Sequence, residues 1–178
     1  LGLLEYSKTI TEIPSDSVER FAAGIERARG YYYESLQVFP TGDAHFNLGN
    51  SYAFTDDLDS AITHMKKAAE IYTGNGYRNQ QSLALGNLGV YMFRNAQPGD
   101  AIQPLGEAIG ILEELRGNVA SVELRSSFIS NKYYLYEYMI TALLQLGRTE
   151  AAFEYVERAK ARSFLDMLGS KAIGEGKE

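Results

Sequence analysis

One pattern is written twice in this chain, at a fixed distance. FNLGNSYAFTDDLDSAITHMKKAAEIY (46–72) and GNLGVYMFRNAQPGDAIQPLGEAIGIL (86–112) set Leu48-Gly49 against Leu88-Gly89, Ala61 against Ala101, Met65 against Leu105 and Ala68 against Ala108, each 40 positions apart. A third copy, YEYMITALLQLGRTEAAFEYVERAKA (136–161), repeats the second half, with Ala152, Val156 and Ala159 in the same places. A unit of this length that recurs buries its apolar face on the next copy, so the chain is expected to be an array of helical units.

Helix packing explains the residues that repeat. Glycine inside a helix costs about 1 kcal/mol relative to alanine, a cost that makes sense at Gly49 and Gly89 if a second helix comes close there. Ala61, Ala68, Ala101 and Ala108 play the same part on that second helix, while Leu48, Tyr52, Met65, Leu88 and Leu105 fill the space between. Thr55-Asp56-Asp57, Gln97-Pro98-Gly99-Asp100 and Leu146-Gly147-Arg148-Thr149 offer capping and C-terminal turn chemistry within the pairs. Pro40-Thr41-Gly42-Asp43 and Thr73-Gly74-Asn75-Gly76 separate one pair from the next. These signals predict helices at 43–55 with 57–73, 79–95 with 99–116, and 130–146 with 149–168. A further helical turn or two is expected in 119–129, and an earlier helix from Ser15-Asp16-Ser17 to Val38. The organisation is then an N-terminal helical segment (1–40), an array (41–168, repeats 42–76, 82–116 and 130–168) and a linker (169–178).

The Leu-Gly…Ala…Ala pattern resembles the tetratricopeptide repeat over residues 40 to 168. That resemblance implies an all-α fold, a right-handed superhelix of antiparallel helix pairs. The spacing exceeds the usual repeat of about 34 residues, as in kinesin-light-chain-type repeats. The place of the aromatic that often opens the first helix is taken by His45, Leu85 and Tyr136, Ile140 stands where the third copy should have its small residue, and Pro104 falls early in a second helix.

The last sixty residues, ending ERAKARSFLDML, resemble the final repeat of bacterial CHAT-domain proteins, in which a tetratricopeptide array precedes a caspase-like protease domain. The resemblance implies that this chain is a segment of a longer protein, and that the protease His and Cys would lie beyond Glu178; the absence of cysteine fits a cytoplasmic origin. Phe164, Leu165, Met167 and Leu168 form a poor polar cap for an array. They are expected to contact the C-terminal domain of the parent chain or, alternatively, a second copy in a homodimer; folding onto the helix Phe128 to Gln145 is the other account.

Catalysis is not expected from these residues. The chain has no cysteine, which removes disulfides and thiolate sites, and its only histidines are His45, read as a packing residue, and His64, read as exposed. No metal-ligand spacing and no phosphate loop occur, so neither metal nor cofactor is expected. The net charge of -6, without a Lys/Arg run, argues against nucleic acid. No apolar run is long enough to cross a membrane, and LGLLEYSKT lacks a signal layout.

The partner expected instead is a protein or peptide. In tetratricopeptide folds the first helix of each pair lines a concave groove, which the resemblance carries to Phe46, Asn47, Asn50, Leu83, Asn87, Val90, Phe93, Arg94, Tyr134 and Tyr138. Asparagine is costly in mid-helix; either these amides hold a bound peptide backbone, or they bond between neighbouring helices. Phe46, Tyr134 and Tyr138 stand where a carboxylate clamp needs basic residues, so an extended or helical peptide with apolar anchors suits the groove better.

Overall fold

The computed structural model describes residues 15–117 and 133–174, with side chains from 19 to 116 and from 133 to 161. Every element among them is an α-helix: α1 (Ser15–Val38), α2 (Gly42–Phe54), α3 (Leu58–Gly74), α4 (Arg78–Arg94), α5 (Pro98–Gly117), α6 (Tyr134–Gln145) and α7 (Thr149–Gly174). The chain divides into two compact units between Pro40 and Thr41. The first holds α1; the second holds α2 to α7 as three pairs, each helix packed on the next, with α4 also reaching α6. The segment 119–129 lies outside the described residues. Helix α7 runs on to Gly174, past the expected end at Leu168.

The helix starts follow from capping. Thr41, in extended backbone, accepts the Ala44 N–H on its hydroxyl at 3.2 Å, and the Asp57 carboxylate accepts from Ser60 N–H at 3.1 Å. The helix ends share one device. After α2, α3, α4 and α6 a single residue turns left-handed: Asp56 (φ 62°), Gly76 (70°), Ala96 (55°) and Gly147 (70°). The N–H that follows reaches back five residues, from Asp57 to Tyr52, Tyr77 to Tyr72, Gln97 to Met92 and Arg148 to Leu143, each 2.9–3.0 Å. Each left-handed residue also donates to the carbonyl three before it. This is the Schellman motif, four times over.

The small residues sit where helices touch. A Cβ on Gly89 would lie 2.5 Å from Leu105 Cγ and 3.1 Å from the Leu105 backbone nitrogen, and one on Gly49 would meet Met65 at 3.0 Å and the Ala61 carbonyl at 3.2 Å. Gly42 likewise yields its space to the ring of Tyr72, whose hydroxyl donates to Asp43 at 2.6 Å. Leu48, Met65, Leu105, Ile109, Leu135 and Met139 are the large side chains of the core that results. Ser82, buried among them, donates to the Ala108 carbonyl at 3.0 Å and so satisfies its hydroxyl.

His64 corrects the sequence reading. Expected at the surface, it is only 8% exposed, and its Nδ1 lies 2.9 Å from Nδ1 of His45, which packs as expected. The α2–α3 interface thus carries an imidazole pair, with Tyr52 stacked on His64 at 5.6 Å between centroids. Pro104 lies inside α5, early in the helix, and is buried.

Candidate functional site

The first helices α2, α4 and α6 meet edge to edge through their expected groove residues, at two junctions of different chemistry. Between α2 and α4 the junction is polar. Asn50 Oδ1 accepts from Asn87 Nδ2 at 3.0 Å and from the Tyr91 hydroxyl at 2.7 Å. Arg94 lies 5.9 Å from the Tyr91 ring centroid and donates to Asp56 at 2.9 Å and, at 3.5 Å, to the Ala53 carbonyl. Asn95 extends the line by donating to Asp59 at 2.9 Å. Asn50 and Asn87 thus bond between neighbouring helices, one of the two roles open to these asparagines.

Between α4 and α6 the junction is aromatic. Phe93 meets Tyr138 edge-on at 5.4 Å, and Tyr138 meets Tyr134 edge-on at 6.5 Å. Burial raises the hydroxyl pKa of Tyr134, as it does for Tyr91, so both stay neutral donors. By repeat register Asn47, Asn87 and Tyr138 are equivalent; substitution of a ring for an amide converts the junction from one chemistry to the other.

The remaining expected residues divide by burial. Phe46, Asn47 and Leu83 are half-buried on the first helices, whereas Val90 is buried in the core. Phe164, Leu165, Met167 and Leu168 fall on α7 beyond the described side chains. Tyr91 was missed in the sequence, although its place four residues after Asn87 puts it on the same helix face. Among the described residues, no group of three or more His, Cys, Asp or Glu could hold a metal ion, and no helix is long and apolar enough to cross a membrane.

Residues 40–114 match a family model described as Tetratricopeptide repeat. Among solved structures, one that resembles this chain is the crystal structure of MamA, 18% identical over 85% of this chain and 96% of that one, with a TM-score of 0.45. No curated protein matches. The fold is all-α and of the tetratricopeptide-repeat type, an architecture that generally mediates contact between proteins.

Proposed function

We propose that this chain is a non-catalytic recognition arm whose first-helix face holds an extended or helical peptide with apolar anchors. The observation that carries the reading is the run of contacts Asn50–Asn87–Tyr91 and Phe93–Tyr138–Tyr134 along one face of three successive first helices. Asn87 Oδ1 and Asn50 Nδ2 take no part in the bond that joins the two amides, so each can pair with a peptide backbone. The aromatic junction supplies rigid apolar contact at low entropic cost. Selection from a displayed random-peptide library tests this. Selected peptides should carry aliphatic or aromatic anchors and lose about tenfold in affinity on Tyr138→Ala, the size of one lost anchor. Peptides indifferent to Tyr138→Ala and Asn47→Ala alike would move the site off this face.

The arm serves a CHAT-type protease in this proposal, recognising a partner and holding or regulating the protease domain. Support comes from the ERAKARSFLDML ending, whose Phe164, Leu165, Met167 and Leu168 would meet the following domain. The reading frame downstream of Glu178 decides the point. An α/β segment with a His and a later Cys, each after an apolar strand, is expected there. A stop codon close by would instead leave a stand-alone adaptor, with the Phe164–Leu168 turn as a homodimer contact.

A further inference from the structure

A second concavity lies on the other side of α4. At about 100° per residue, Leu85, Leu88 and Met92 point roughly 160° away from Leu83, Asn87 and Arg94. Their outer edges form the floor of a cleft whose walls are the second helices of the first two pairs, α3 and α5. Two adjoining cavities occupy it, of about 510 and 480 Å³, sharing Lys66, Leu85 and Leu88. Each is within the size range of sites that take small ligands or a few side chains.

The floor and the walls differ in chemistry. Leu85, Leu88 and Met92 are buried but for 6–8% of their surface, so the floor shows only a narrow apolar line between the two walls. The α3 wall brings Lys66 and Glu70, and the α5 wall brings Asp100 and Glu107, all four exposed. Three carboxylates thus face one ammonium around an apolar floor, in a chain of net charge -6. Gln103 donates to Glu107 at 2.9 Å along the α5 wall, which orients that carboxylate.

We propose that this cleft is a second binding surface, and that it takes a basic segment of a partner protein bearing two or three aliphatic side chains. The aliphatic groups would cover Leu85, Leu88 and Met92, and flanking lysines or arginines would pair with Glu70, Asp100 and Glu107. An acidic segment meets a net negative rim and is rejected, so the charge pattern selects the partner. The site shares no residue with the first-helix face, and its floor points away from Asn87 and Arg94 on α4.

Methionine-methyl NMR tests the proposal, since Met92 lies on the floor and Met139 lies buried on α6. A short leucine–lysine peptide at low salt should shift the Met92 methyl and leave that of Met139 in place. A leucine–glutamate peptide of equal length should shift neither. Asp100→Lys with Glu107→Lys, both on the exposed rim, should weaken the lysine peptide about tenfold, and added salt should weaken it further. Tyr138→Ala should leave the affinity unchanged. Four results overturn the proposal: no Met92 shift at millimolar peptide, equal shifts with both peptides, affinity indifferent to the double reversal, or affinity lost with Tyr138→Ala. The last would place the peptide on the first-helix face and leave that reading standing.

Discussion

The first and third helix pairs put different chemistry at the same two places. In the first pair these places hold His45 and His64, with rings 5.2 Å apart. In the third they hold Tyr136 and Tyr155, with rings 6.5 Å apart; in the second, Leu85 and Pro104. The imidazoles bond to each other, so that contact stays between α2 and α3. The tyrosines reach outward: the Tyr136 hydroxyl donates to Glu113 of α5 at 2.7 Å, and Arg158, stacked 4.7 Å over Tyr155, donates to the same carboxylate at 2.8 Å. Repeat register therefore fixes where two side chains meet, while residue choice decides whether they hold a pair together or dock it on its neighbour.

The docking role gives the largest expected effect. Glu113→Ala deprives both Tyr136 and Arg158 of their shared acceptor, and should cost about 2–3 kcal/mol of stability. The value lies below that of a fully buried ion pair because the Arg158 side chain is 40% exposed. Hydrogen exchange should accelerate in α6 and α7 and stay slow in α2 and α3. Glu113→Gln, which keeps an acceptor for Tyr136, should lose less. Uniform acceleration across all three pairs would show that Glu113 does not dock the third pair in particular.

The imidazole pair should show itself in pH dependence. Burial, then the neighbouring imidazole and the Lys67 ammonium, bring His64 from 6.5 down to about 4; burial and Lys67 lower His45 as well. A base whose folded pKa lies below its unfolded pKa binds fewer protons when folded. Its contribution is complete above pH 6.5 and is lost as pH falls toward about 4. At about 1.4 kcal/mol per pKa unit, the loss should reach about 3 kcal/mol from His64. His64→Gln should flatten that part of the stability profile, measured as the difference from wild type so that carboxylate titrations cancel. The groups facing the pair, Tyr52 and Lys67, are retained in that variant. An unchanged difference between pH 6.5 and 4 would mean that the two rings already accept a proton in the fold.

Much of this architecture was legible because it depends on spacing. Gly49, Gly89, Ala61 and Ala101 mark close approach by their size alone, and the structure puts Leu105 and Met65 against those glycines. The groove residues were legible as a face, since helical period fixes direction. Their partners were not. That Asn50 pairs with Asn87, and not with its repeat-equivalent Val90, depends on the offset between α2 and α4, which no local pattern encodes. His64 was misread for the same reason: beside Met65 and Lys66, it looks solvated until α2 supplies His45 across the interface. The cleft floor escaped notice because Leu88 reads as filler between helices, and only the separation of α3 from α5 leaves its edge and those of Leu85 and Met92 open.

The turns allow the finest comparison, because four copies of one motif use three residue types. Gly76 and Gly147 adopt the left-handed turn at no steric cost, and Asp56 is of a type that tolerates it. Ala96 carries a Cβ into the same conformation, at about 1 kcal/mol. Part of that is offset because glycine would add freedom to the unfolded chain. Ala96→Gly should therefore stabilise the fold by about 0.5 kcal/mol, and Gly147→Ala should destabilise it by about 1 kcal/mol. Denaturant midpoints at unchanged slope would measure both. The two effects must have opposite signs if a common left-handed turn ends these helices. Equal signs would mean that the second and third pairs close their turns by different devices, and that the register shared by their interiors does not extend to their ends.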